Sequence, residues 1–356
     1  MKKSFLCLLI ISIITACSVP QKTNNNIVDS IRFFSDQSFW NQPIAKDVKI
    51  DERSDYWINL LERDPSGENF GLNVDAYTIP IYEVDSTIKR ITIKQITSLL
   101  NEKGEVDCEF GHSIKFDELK FPMPDHVIPS PGADQHLAVF DRKSNLIWDM
   151  FLVKKDKDGA WESATGMVYP LDGTGVFNKD EFNVQVGTSI HGHGPGVAAG
   201  MPIVAGVIRY DEIKQGKINH KLSGALRYTA YQEFVFPAVW TDGNFEGGIP
   251  EGAVIQLDPE LDLSAFDLTT EEKIVAKAMQ EYGIVIVDFS EGSTIRAEYL
   301  DKSRGLSWNG KLRGWKDPGG IKTIPVSNYR VLEVGETFKG GDKEKKFFTE
   351  KLYFIE

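Results

Sequence analysis

The tract from Gly187 to Leu222, GTSIHGHGPGVAAGMPIVAGVIRYDEIKQGKINHKL, limits the fold more than any other part of the chain. Glycines at 187, 192, 194 and 196, together with Pro195, exclude a regular helix or central strand there, because they combine backbone freedom with a missing donor. A shaped loop is expected, and the apolar run Val197 to Ile208 after it must enter a core. Tyr210 to Gly216 reads as a short helical turn, with Asp211 and Glu212 near its start and Lys214 and Lys217 near its end, the polarity the helix dipole favours. His191, His193 and His220 fall in this tract, three of the six histidines in the chain.

The first residues, MKKSFLCLLIISIITACS, join Lys2 and Lys3 to an apolar run that is too short and wrongly flanked for a membrane span. Residues 1–16 therefore read as a secretory signal. Ile14-Thr15-Ala16-Cys17 resembles the lipobox of bacterial lipoproteins, in which Cys17 becomes the lipidated first residue. The polar stretch 17–30, with three consecutive asparagines, suits a flexible tether. Residues 31–356 are expected to form a single β-rich body. Apart from Cys7 and Cys17 only Cys108 is left, which excludes an intramolecular disulfide and makes a cysteine-based zinc site implausible. A net charge of −12 disfavours nucleic acid as a partner, since phosphate binding needs a basic field. Local basic patches remain compatible with an anionic glycan.

Periodicity within the body favours strands. His136 to Phe140 and Leu146 to Val153 read as a hairpin turning at Arg142 to Asn145. Ala76 to Tyr82 and Ile88 to Ile93 alternate as half-buried strands do, with a turn at Asp85-Ser86. Ala225 to Thr229, Phe234 to Trp240 and Ala253 to Leu257 read as strands, and Thr241 to Gly248 as a glycine-rich loop. Ile284 to Phe289 is a continuous apolar run that needs cover on both faces. A final strand is expected near Tyr353. Helical spacing is confined to Asp55–Arg63 and Thr269–Tyr282, the second with a capped, acidic start. The aromatic segment Ile31 to Pro43 should pack on the core. The expected class is mainly β, a sandwich or a distorted barrel, with a few helices.

His136 stands at the mouth of the hairpin, where it can reach a cleft or simply cap a loop; Gln135 points to the opposite face. Trp148 followed by Asp149 fits a sugar-binding floor, the ring covering apolar sugar faces and the carboxylate accepting from hydroxyls. A buried tryptophan beside a solvated carboxylate is the alternative. His191-Gly-His193 would share a face on a strand, but metal binding needs further ligands and no HExxH motif occurs. His136 or His220 would have to complete such a site. A proton-transfer role asks for only one histidine with a pKa near neutrality, so neither metal nor cofactor is expected. Arg209 can present a fork to a carboxylate or sulfate, or pair with Asp211 or Glu212. Asp134, Asp149, Asp242, Glu246 and Glu251 supply candidates for a glycosidase carboxylate pair.

Taken with the lipobox and the His-Gly-His loop, the aromatic-rich β body resembles secreted carbohydrate-active enzymes of bacterial polysaccharide degradation, namely polysaccharide lyases and oligosaccharide dehydratases that act on algal uronate-containing glycans. Signatures of the jelly-roll alginate lyases are absent. The resemblance implies an outer-envelope lipoprotein that neutralises a uronate, removes the proton beside its carboxylate and protonates the leaving oxygen. Arg209 or a neighbouring amide then serves as the clamp, a histidine as the base, and Tyr169, Tyr210 or a second histidine as the acid; a neutralising positive charge lowers the cost of the carbanion-like transition state. The expectation is a carbon-oxygen lyase in which His136, His191, His193, Arg209, Tyr210 and His220 share one cleft, with Gln135, Trp148, Asp149 and Tyr169 on the substrate. The membrane would be reached through the lipid on Cys17. Competing readings are a glycoside hydrolase, a non-catalytic glycan binder using Trp148, Trp240, Trp308 and Trp315, and a structural envelope protein.

Overall fold

A computed structural model describes residues 31–64, 69–85, 87–96, 109–110, 114–115, 120–177 and 196–341. The chain from Arg32 onward forms one unit by its backbone contacts. It is mainly β, with three α-helices and no closed barrel among the described residues.

The largest sheet has six strands in the order Gly71–Asn73, Thr294–Arg296, Leu222–Leu226, Ile284–Phe289, Val254–Leu257 and Tyr329–Val331. Ile284–Phe289 lies inside it, parallel to Leu222–Leu226 and antiparallel to Val254–Leu257, as its continuous apolar run requires. Alternation along the outer strands separates two faces. Leu72, Ile295 and Leu226 join a core built with Trp57, Val275 and Met279. Their neighbours Asn73, Thr294, Arg296 and Ala225 line a cavity instead. One irregularity alters the pattern: Gly224 pairs with Ile286 but Ala225 with Asp288, so Val287 is an extra residue. Such a bulge re-aims the strand end, and it sets Asp288 opposite Ala225.

Against the core face packs the helix Thr270–Glu281. Thr269 and Glu272 form its capping box, Glu272 Oε2 accepting from Thr269 N at 2.9 Å and Thr269 Oγ1 accepting from Glu272 N at 3.0 Å. Glu272 also takes Arg313 through its backbone and guanidinium. The helix stops before Gly283, whose φ of 80° a side chain would strain. The expected helix near residues 55–63 is Ser54–Glu62.

A second sheet has four strands in the order Thr165–Pro170, Leu146–Phe151, Leu137–Asp141 and Ile81–Glu83. Its central hairpin is the one the sequence suggests. Both of its faces are covered. Leu137, Val139, Trp148 and Met150 pack with Phe121 and Ile93 on one side, while Phe140 and Tyr169 on the other meet Phe33 and Phe34 of the opening segment, which is ordered as expected.

Elsewhere the sequence expectations need correction. Residues 225–229 and 234–240 were expected as strands; the strands run Leu222–Leu226 and Thr229–Val235, and a cis Phe236-Pro237 bond follows the second. The Asp85 turn exists, its carboxylate accepting from Thr87 N at 2.7 Å, but the strands it separates take different partners. Ile81–Glu83 pairs with Leu137–Asp141 and Arg90–Thr92 with Lys120–Pro122. Tyr353 and Cys17 lie outside the described residues.

Candidate active site

The cavity between the two sheets has a volume of about 700 Å³, within the range of small-molecule sites. One wall is the six-stranded sheet, with Asn73, Ala225, Asp288, Thr294 and Arg296. The opposite wall is one end of the four-stranded sheet, where His136 precedes the strand Leu137–Asp141, Phe151 ends its partner and Thr165 opens the next. Tyr77, Asp134, Arg227, Asp242, Glu291 and Trp315 are also on the lining.

Trp315 owes its place to a glycine. A Cβ on Gly71 would lie 2.5 Å from the indole, so the ring sits where a side chain is missing, and its Nε1 donates to Asn73 Oδ1 at 3.2 Å. His136 packs on Phe151 with ring centroids 5.5 Å apart, and its carbonyl accepts from Ser130 N at 2.9 Å. Backbone strain gathers at this end of the cavity. Tyr77, Gln135 and Leu152 have φ of 54°, 45° and 54°, a region that non-glycine residues occupy at a cost and that clusters at functional sites. Neighbouring backbone hydrogen bonds fix the geometry: Tyr77 N to Pro131 O, Leu152 N to Asp134 O and Val153 N to Gln135 O. Gly196 and Ala198 also line the cavity, and Ala199 N donates to the carbonyl of the bulge residue Val287 at 3.1 Å.

Two arginines give the cavity its recognition chemistry. Arg227 is held by Asp64 in an ion pair, with Nε 3.1 Å from Oδ1, and donates from Nη2 to Glu291 O. Arg296 is buried and donates from Nη2 to Asp288; its other N–H groups have no partner among the described residues. A guanidinium carries five donors in a fork suited to carboxylates, so Arg296 retains capacity for an anionic ligand. Asp242 stands nearby and accepts from Phe289 N at 3.1 Å. No group of His, Cys, Asp and Glu among the described residues is arranged to hold a metal ion.

Of the residues singled out from sequence, His136 is in the cavity. His191 and His193 lie outside the described residues. Arg209, Tyr210 and His220 are together but elsewhere, in a cluster that ties the helix Tyr210–Gln215 to the end of the six-stranded sheet. Glu298 Oε2 accepts from Tyr210 N at 2.9 Å and lies 3.9 Å from Arg209 Nε. Glu212 Oε2 accepts from Arg209 N at 3.3 Å and faces His220 Nε2 at 3.1 Å. Arg209 lies over the Phe33 ring and Tyr210 packs on Trp308. Burial lowers the His220 pKa, but the Glu212 charge and hydrogen bond outweigh it and leave the imidazole above its ordinary value. The expectation of a shared cleft fails for these three because Glu212 and Glu298 engage them; Arg209 takes the ion pair that was its alternative reading, with Glu298 as partner.

Trp148 and Asp149 are not a sugar floor. Because the four-stranded sheet is covered on both faces, Trp148 is 1% exposed and Asp149 0%. Asp149 Oδ2 accepts from Tyr169 Oη at 2.7 Å and Ile203 N at 2.9 Å. Burial raises the Asp149 pKa to about 7 against these hydrogen bonds, and burial followed by the Asp149 charge raises Tyr169 well above its usual value. Gln135 contributes backbone geometry rather than cavity lining. Trp240 is buried at 0% and Trp308 at 4%, which leaves Trp315 as the one proposed platform in the cavity. Sequence reasoning missed Tyr77, Arg227 and Arg296. The alternation Thr294-Ile295-Arg296 was the available signal for Arg296, and only the bulge sets Asp288 beside it.

Comparison with protein-family models, curated proteins and solved structures finds no match.

Proposed function

We propose that the chain is a carbon-oxygen lyase acting on uronate-containing polysaccharides or oligosaccharides. The observation that carries this reading is Arg296, buried on the wall of a cavity that Trp315 also lines, whose guanidinium has Asp288 as its one hydrogen-bond partner among the described residues. A carboxylate on a sugar ring fits that fork while the ring lies on the indole. Neutralising the carboxylate stabilises the carbanion-like transition state that follows loss of the adjacent proton. His136 is the base in this reading, because histidine alone titrates near neutrality without perturbation. Tyr77 and the carboxyl groups of the lining, Asp134, Asp242 and Asp288 among them, are able to protonate the leaving oxygen. Tyr169, Tyr210 and Arg209 have no part in it.

The test is incubation with acidic polysaccharides and their oligosaccharides, following mass and near-ultraviolet absorbance together. Cleavage without gain of water, with new absorbance, is a lyase; loss of one water from an intact oligosaccharide is a dehydratase. His136→Ala should lower the rate about a hundredfold or more. A glycoside hydrolase is the second reading, favoured by Asp134, Asp242 and Asp288 on the lining, and would give products that gain water without absorbance. In the same proposal the protein is tethered to the envelope by lipid on Cys17, and Cys17→Ala should release it from the membrane fraction.

A further inference from the structure

A buried acid stands behind the cavity wall. Glu251 ends the strand Ile249–Glu251, is 0% exposed, and neither of its carboxyl oxygens has a hydrogen-bond partner of good geometry among the described residues. Buried polar groups are nearly always satisfied, so a buried carboxyl left with poorly aligned contacts to Asp242 and Thr241 calls for a role. Asp242 of the cavity lining is its neighbour, Asp288 is the next charge, and the Thr241 hydroxyl is also close. Burial first, then the Asp242 and Asp288 charges, push the Glu251 carboxyl well above the usual range, Thr241 being the opposing influence. Two carboxyls in one desolvated site do not both ionise, so Glu251 holds a proton at neutral pH.

We propose that Asp242 is the group that protonates the leaving oxygen and that Glu251 is the positioning residue that supplies Asp242 with the proton. This rests on the lyase reading of the cavity and chooses among its candidate acids, because Asp242 has a proton-bearing group behind it. In the step, His136 takes the proton beside the substrate carboxylate, and the released electron pair forms the carbon-carbon double bond. The carbon-oxygen bond breaks with its pair going to oxygen, and the one proton held by Glu251 passes to Asp242, which hands it on to that oxygen. The proton taken by His136 returns to the pair through solvent, so no atom is gained or lost by the protein.

Glu251→Gln preserves shape and neutrality but cannot release a proton. With a uronate oligosaccharide that the wild type turns over, it should keep KM within about twofold and lower kcat about a hundredfold, the size of a lost general acid. Asp242→Asn should lower kcat equally, which keeps the test open should the first variant not fold. The infrared carbonyl stretch of protonated carboxyls at neutral pH should be stronger in the wild type than in Glu251→Gln, where Asp149 still contributes. Full kcat in a folded Glu251→Gln, or a band equally strong in the two proteins, overturns the proposal and leaves the lyase reading intact. A wild type that neither binds nor converts any acidic glycan overturns that reading, and the proposal with it.

Discussion

Replacing Asp149 by Asn should change how stability depends on pH. Asp149 is fully buried between the four-stranded sheet and the segment that contains Ile203, and its pKa is about 7. In the unfolded chain an aspartate titrates near 3.9. A folded value above the unfolded one means that the contribution of this group to stability is fully present below about pH 4 and is lost as pH rises to about 7. With these two values the loss from this group alone between pH 5 and pH 8 is about 2–3 kcal/mol. Asn keeps an oxygen to accept from Tyr169 Oη and Ile203 N, and places its amide at the oxygen that lacks a partner in Asp149. That amide is itself unsatisfied, so the variant gains nothing at pH 5 and the informative quantity is the slope. Urea unfolding of both proteins at pH 5, 6, 7 and 8 measures it. Wild type should fall relative to Asp149→Asn by about 2–3 kcal/mol across that range; parallel curves would refute the reasoning.

Three further outcomes follow from particular contacts. Gly71→Ala puts a Cβ where it would meet the Trp315 ring at 2.5 Å, so glycan affinity should fall about tenfold, by roughly 1.4 kcal/mol, with Trp315 fluorescence altered and circular dichroism unchanged; unchanged affinity would remove Trp315 from the site. Glu272→Ala strips a buried carboxylate from Arg313 and from the helix cap, and should cost about 3–5 kcal/mol in denaturant unfolding, with a loss under 1 kcal/mol counting against the capping account. His220, raised in the fold by Glu212, should stabilise most below about pH 6.5 and less as pH rises through its folded value. His220→Gln should therefore cost more at pH 5.5 than at pH 8.5, and a cost independent of pH would show that the ion pair contributes nothing.

Periodicity recovered the elements whose own residues decide their environment. The helix Thr270–Glu281 announces its cap and its apolar spacing, and Ile284–Phe289 shows by its unbroken apolar run that it lies inside a sheet. Short strands such as Gly71–Asn73 and Thr294–Arg296 carry too few residues for a period; Thr294–Arg296 pairs with the longer Leu222–Leu226, and Gly71–Asn73 in turn with Thr294–Arg296. The site was legible at His136, where a strand-mouth histidine does reach the cavity. It was illegible at Trp148 and Asp149, since alternation gives which residues face apart but not whether a second layer covers each face. Arg209 and His220 misled because residue type announces capacity for chemistry, while Glu212 and Glu298, which engage them, are distinguished only in space. The bulge at Val287 is likewise a property of pairing, invisible along one strand.

In the proposed reaction Arg296 and His136 act on one uronate in the cavity between the two sheets. Its most direct test is a time course of wild type, His136→Ala and Arg296→Ala on matched uronate and neutral oligosaccharides, read by product mass and near-ultraviolet absorbance. The account predicts an unsaturated product from the uronate substrate alone, formed about a hundredfold more slowly by each variant. Products that carry an added water, or equal rates for all three proteins, would contradict it.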